Sequence, residues 1–288
     1  MGTKCRIVVF APSEPVAADA CAAAFERIAD LEAVMSDYRP DSEAATVLGL
    51  EPRVWHPISP DLAALLARCE LVHRASGGAF DPAVGPLTKL WRASRRSGRL
   101  PDPSVLAEAR ERSGMEKLET DAASERIRFA RSGMGLDFGG IGKGFAADGA
   151  MRVLSECGLR AALIDFGGDV VVGDAPPDQP GGWSLRVRDG LGTPRTLRLS
   201  NAAVATSGDL EQSVEIDGKR YSHIIDPRSG LGLTRRTAST VVADSGWKAD
   251  ALASAACVLG PENIELLRRS FPGAVIEVVG GPPDRPVD

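Results

Sequence analysis

The chain has 288 residues, 25% of them charged, and a formal net charge of −5 with no block of like charges; it is long enough to bury a substantial core as one large domain or two interleaved ones and lacks the basic stripe of a nucleic-acid-binding protein. No apolar run reaches the roughly 18–20 residues that a membrane-spanning helix needs, and the start, Met1-Gly2-Thr3-Lys4-Cys5-Arg6, shows neither a signal peptide nor, with Arg at position 6, a myristoylation pattern. Five cysteines, widely spaced and without a C-x-x-C pair, indicate neither a disulfide framework nor a zinc site, and a soluble protein of a reducing, cytoplasmic compartment is expected.

Cys5 to Ala11 reads as a strand. Ala20, Ala24, Ile28, Leu31 and Val34 recur at helical spacing and predict an amphipathic helix over 17–35. The polar loop 35–43 holds Tyr38, one of only two tyrosines. Ser59 or Asp61 caps a second helix over 62–76, followed by Gly77-Gly78-Ala79-Phe80-Asp81-Pro82. The basic cluster Arg92, Arg95, Arg96 and Arg99 falls in a Ser/Gly-rich segment and reads as a solvated face. A Pro-containing linker leads into a short helix over 105–112, and extended pieces follow at 126–130 and 136–138. The next helix is predicted over 144–157. Strands are predicted at 161–166, 169–172, 183–188, 195–199, 202–205, 214–217, 221–225 and 238–243. Helices over 247–259 and 261–270 and a strand over 274–279 complete the fold, and the Pro/Gly/Asp-rich tail 280–288 is expected to be flexible. Strands bunch between 160 and 245 at hairpin spacing while helices lie elsewhere, a pattern that favours α+β over regular βαβ alternation.

Gly139-Gly140-Ile141-Gly142-Lys143-Gly144 is a glycine-rich turn that opens into a helix. Backbone N–H groups and the helix dipole make such a junction an anion site, with Lys143 as a point charge beside it. It is not a P-loop, because Gly144 stands where Ser or Thr would follow the lysine. Gly142-x-Gly144-x-x-Ala147, with Asp165 about 20 residues on, also fits a dinucleotide fingerprint. The preceding strand, however, is short, interrupted by Gly135, and carries Asp137 where an apolar residue is expected. Phosphate binding ranks first, tight packing second and a Rossmann turn third.

Asp250 and Ser254 stand four apart on one helix face. A carboxylate in an Ala/Leu-rich helix is costly to bury without a partner, and a hard cation with a hydroxyl as second oxygen ligand would satisfy it. An exposed Asp250, with Ser254 bonded back to its own helix, explains the spacing equally well. Tyr221 to Gly230 brings His223, Asp226 and Arg228 within six residues, next to a turn. Taken alone, it describes a strand-end histidine on the backbone and a turn aspartate; a catalytic role depends on its company. Asp81-Pro82, Gly168-Asp169 and Gly208-Asp209 each fit a turn aspartate, and Thr206 to Asp209 fits a ligand loop as well. His56 and His73 read as structural. No Gly-x-Ser-x-Gly elbow, HExxH or paired metal-ligand histidine occurs.

Eight stretches form an ordered set. They are Met1-Gly2-Thr3; Met35-Ser36-Asp37-Tyr38 with Ser42-Glu43; Gly77 to Pro82; and Leu136 to Gly144 ending at Asp148. Gly167-Gly168-Asp169, Ala205 to Asp209, Tyr221 to Gly230 and Ala249 to Ala255 complete it. In this order they resemble the FAD:protein FMN transferase family, the ApbE-type flavin transferases, from residue 1 to about 260. The resemblance implies that FAD is the substrate, that its pyrophosphate is cleaved, and that FMN passes to a threonine hydroxyl of an acceptor flavoprotein with release of AMP. It implies Mg²⁺ as cofactor, held by the Gly140 carbonyl, Asp250 and Ser254. Met1, Tyr38, Ala79, Phe80, Asp81, Asp137, Lys143 and Ile224 would contact FAD. His223 would be the base for the acceptor hydroxyl and Asp226 its orienter.

The implied fold is α+β, with two interleaved T-fold-like subdomains of mixed or antiparallel sheets flanked by helices, a ligand cleft between them, and a single domain over 1–279. The last metal ligand is usually Thr; Ser254 keeps its hydroxyl. Many relatives are exported lipoproteins, so a periplasmic or membrane-anchored protein with its signal removed is the alternative to the cytoplasm. An FAD pyrophosphatase that releases FMN and AMP, or a non-catalytic FAD-binding protein, are the alternatives to a transferase. Phosphoryl transfer asks mainly for positioning and charge neutralisation, and an oxygen-only donor set suits Mg²⁺ over zinc.

Overall fold

Residues of alternating fate build the centre of the molecule. In the strand Ala162–Phe166, Ala162, Ile164 and Phe166 turn into one core, while Leu163 turns into another. Ala203 and Ala205 likewise face one side of the strand Ala202–Gly208 and Val204 the other. Such period-2 partition means a sheet covered on both faces. The computed structural model describes residues 2–188, 194–208 and 212–280, so Met1, Asp209 and the tail 281–288 lie outside the described residues. Its main sheet has six strands in the order Cys5–Val9, Ala162–Phe166, Asp169–Val172, Ala202–Gly208, Thr237–Ala243 and Val275–Gly280, every neighbour antiparallel. The α+β expectation is borne out.

A Rossmann turn at Gly142 is not. That fingerprint needs a parallel strand running into the glycines, whereas residues 135–139 are irregular. Asp165, instead of awaiting a ribose, accepts from Gly168 N at 3.1 Å and lies 3.6 Å from Arg6.

Helices cover one face. Gly142–Glu156 and Gly246–Leu259 pack against the sheet, and Glu14–Met35 packs on the first of them. The two inner helices carry mostly Gly and Ala at their contact, which lets their backbones meet. A Cβ on Gly144 would stand 2.8 Å from Trp247 N, with the Gly246 carbonyl nearer still. The hairpin Trp183–Arg188/Pro194–Leu199 covers the opposite face through Trp183 and Leu185.

A smaller core stands apart: Val84, Leu87, Trp91, Ala109, Ile216, Tyr221 and Ile225. It belongs to the helix Gly85–Ser97, a segment whose arginines read as solvated. Pro86 starts that helix, Gly98 in the left-handed region ends it, and Leu87, Trp91 and Ser94 face inward. Trp91 donates from Nε1 to the Ser222 carbonyl at 2.9 Å and tilts against Tyr221, ring centroids 5.5 Å apart. The strand expected over 221–225 is broken: Lys219–Ser222 and Ile225–Asp226 belong to separate two-stranded pairs, and His223 and Ile224 lie between them. The last strand runs through Gly280.

Candidate active site

Between the main core and the smaller one runs a cleft of about 380 Å³. Tyr38, Ala79, Phe80, Asp81, Asp137, Gly140, Lys143, His223, Ile224, Asp250 and Ser254 all line it. Thr206, Ser207 and Gly208, at the end of their strand, line it too. Three segments distant in the chain, 137–143, 223–224 and 250–254, therefore meet in one place.

At its inner end two helices present their charges to each other. Asp250, 4% exposed in the helix Gly246–Leu259, accepts from Gly144 N at 3.1 Å and lies 3.4 Å from Lys143 Nζ. It is not the exposed aspartate that the spacing alone allowed. Lys143 also pairs with Asp169, a buried carboxylate that accepts from Thr206 N at 3.3 Å, so Asp169 is no mere turn residue. Burial opposes the Lys143 ammonium, but Asp250 and Asp169 outweigh it and hold its pKa above that of an ordinary lysine. Burial, and then the charge of Asp250, raise that of Asp169.

One turn on from Asp250, the Ser254 hydroxyl makes no hydrogen bond among the described residues, and a Cβ on Gly140 would lie 2.9 Å from it. Carboxylate, hydroxyl and the Gly140 backbone thus share a corner that already holds a cationic group. No cluster of three or more His, Cys, Asp or Glu able to hold a metal occurs among the described residues. A donor set of few oxygens fits Mg²⁺, which keeps several waters and leans on substrate phosphates. The glycine-rich turn directs part of its own N–H capacity inward: Gly139 N to Asp137, Ile141 N and Gly142 N to the Phe138 carbonyl, Gly144 N to Asp250.

The helix Gly85–Ser97 forms the facing wall and supplies residues that sequence reasoning missed. Arg92 pairs with Asp37 and, at 3.1 Å, with Asp137, and its guanidinium lies 4.5 Å from the centre of the Tyr38 ring. Burial and the Asp137 charge raise the pKa of Asp37 against the pull of Arg92. Arg95, one turn away, also lines the cleft, its Nε buried without a hydrogen-bond partner. The signal was present in the spacing of Leu87, Trp91 and Ser94.

His223 and Asp226 separate. The His223 Nδ1 lies 3.2 Å from the Gln212 carbonyl, at the cleft wall. Asp226 falls outside the cleft lining, and its carboxylate accepts from Arg228 Nε at 2.8 Å and Nη2 at 2.8 Å and from Arg228 N at 2.9 Å. Asp81 turns its oxygens to Ala83 N (2.7 Å) and Met115 N (2.9 Å), shaping the Ala79–Phe80 turn. His56 and His73 each meet a backbone carbonyl, those of Glu51 and Phe80.

The family model described as the ApbE family matches residues 1–276. An FAD:protein FMN transferase of Treponema pallidum is 36% identical over 95% of this chain and 80% of its own length. One of Haemophilus influenzae is 30% identical over 81% of this chain and 70% of its own. The apo crystal structure of the Pseudomonas stutzeri flavinyl transferase ApbE superposes with a TM-score of 0.83 at 26% identity, over 97% of this chain and 92% of that one.

Proposed function

The chain belongs to the ApbE family, and from that premise we propose that it transfers the FMN half of FAD to a threonine hydroxyl of an acceptor protein, with Mg²⁺ bound and AMP released. The observation that carries this is the convergence of 137–143, 223–224 and 250–254 on one cleft. The main sheet with its cores serves as one subdomain and the smaller core around Trp91 as the other, and the dinucleotide lies between them. Ala79, Phe80 and Ile224 give apolar surface to the flavin ring, and Tyr38 and Asp137 flank it. Lys143 neutralises phosphate charge. Asp250, Ser254 and the Gly140 carbonyl would hold Mg²⁺, which when bound stabilises charge that develops on the pyrophosphate oxygens.

His223 takes the proton. Its Nδ1 lies against the Gln212 carbonyl, which can only accept; a hydrogen on Nδ1 there would make Nε2 the basic nitrogen. The acceptor oxygen forms a bond to the FMN phosphorus, the P–O bond to AMP breaks, and the hydroxyl proton passes to Nε2. Asp226, held by Arg228, shapes the turn after His223 rather than orienting its ring.

Incubation with FAD, Mg²⁺ and a threonine-bearing acceptor tests the reading. The acceptor is expected to gain the mass of FMN less one water and flavin fluorescence in a denaturing gel, with equal AMP, and its Thr→Ala variant to gain neither. Equal release of free FMN and AMP without acceptor would instead make the protein a pyrophosphatase. Tight FAD binding without turnover would make it a carrier.

A further inference from the structure

Asp169 has no task in the reaction as described, yet it and Asp250 are the buried carboxylates among the described residues. It follows the Gly167–Gly168 turn, where both glycines have positive φ, and opens the strand Asp169–Val172 directly behind the cleft. One of its oxygens accepts from Thr206 N, which fixes it to the next strand. The other faces the Lys143 ammonium, closer than Asp250 does. Two carboxylates therefore share one ammonium, and one of the two, Asp250, belongs to the corner with Ser254 and Gly140 that fits a divalent cation.

We propose that Asp169 is a positioning residue that draws the Lys143 ammonium away from Asp250 and so keeps the cation corner open. This rests on the metal-dependent reading of the cleft. The physics is competition between cations. An ammonium in contact with a carboxylate cancels the charge that a divalent ion needs, and in a buried site that attraction is only weakly screened. Without the Asp169 charge, Asp250 is the one remaining carboxylate within ion-pair reach of Lys143 among the described residues. The lysine then settles on it and acts as a built-in inhibitor of metal binding. With Asp169 present, the ammonium has a second seat and stays beside the cleft, where phosphate oxygens would meet it.

Mn²⁺ binding to the full chain, followed by the electron paramagnetic resonance of the free ion with and without FAD, tests this apart from turnover. Asp169→Asn keeps shape and removes charge; its Mn²⁺ affinity is expected to fall about 10- to 100-fold, the range found when a residue supporting a metal ligand is lost. In that background, and with FAD absent, Lys143→Met is expected to restore most of the loss, while in the wild type without FAD the same change has a much smaller effect on Mn²⁺ affinity. Mere damage to the fold would not be rescued by a second substitution. Asp169→Ser carries the same test should the asparagine variant not fold. Wild-type affinity in Asp169→Asn, or no recovery in the double variant, overturns the inference alone. A wild type that takes up no Mn²⁺ in either condition removes the metal-dependent reading, and the inference with it.

Discussion

His223 and Asp226 are three residues apart, yet only the histidine faces the cleft, so their substitutions have different outcomes. His223→Ala is expected to lower transfer by about 10²-fold or more and to leave the FAD affinity nearly unchanged; a fluorescence titration beside a gel assay separates the two. Asp226→Asn loosens a turn that Arg228 holds at the surface, so it costs about 0.5–1 kcal/mol in denaturant melts and leaves transfer nearly intact. Arg92 is a third case. It stands between Asp37 and Asp137, whose side chains are 14% and 8% exposed. Arg92→Met leaves two largely covered carboxylates facing each other without their cation, a loss of about 3 kcal/mol at neutral pH. Burial already raises the pKa of Asp37, so the stability that its protonated form contributes is full below the ordinary carboxylate range and fades as pH rises. Urea melts of the variant are therefore expected to show recovery at acidic pH.

Helices rather than single side chains carry the geometry of the corner, and two residues weld them. Asp148, in the helix Gly142–Glu156, accepts from Gly246 N at 2.7 Å and Trp247 N at 2.9 Å and so caps the helix that bears Asp250. Burial pushes its pKa up from 3.8 to about 6, against the pull of those two N–H groups. An acid with a raised folded pKa contributes most below its unfolded value and loses that contribution as pH climbs through the folded one. The stability of the wild type relative to Asp148→Asn is therefore expected to fall by up to about 3 kcal/mol between about pH 4 and pH 7. Gly144→Ala drives a methyl group into the Gly246–Trp247 backbone and is expected to cost about 1–3 kcal/mol in thermal melts.

These welds explain what was legible in the chain and what was not. The Ala-rich period of 246–259 and the glycines of 139–144 announce helix and turn locally, whereas spacing alone leaves Asp250 and Ser254 open between a ligand pair and an exposed face, and the family resemblance singles them out. Asp148 as a cap for a helix about a hundred residues later is a tertiary fact with no local mark. The helix Gly85–Ser97 has its mark in the spacing of Leu87, Trp91 and Ser94, but its arginines are polar by type and read as solvated, whereas two of them, Arg92 and Arg95, line the cleft. The break at His223 and Ile224 was masked by the β-like composition around them.

At the scale of the whole molecule, the cleft is the seam between two cores, so a ligand that fills it ties them together. Saturating FAD with Mg²⁺, at about 100 times the dissociation constant, is expected to add about 2.7 kcal/mol and raise the melting temperature by about 5–10 °C. Chelation with EDTA is expected to remove most of that gain. A failure of FAD to shift the melt, with or without the metal, would count against the cleft as its seat. The seam also has a temporal side. Trp91 docks on a carbonyl 131 residues further on, and Gly144 N on a carboxylate 106 residues further on. While the nascent chain emerges from the ribosome, N-terminal parts fold first, but both walls await partners not yet made. The cleft is therefore closed only late, once the chain has been made through the helix Gly246–Leu259 that brings Asp250 and Ser254.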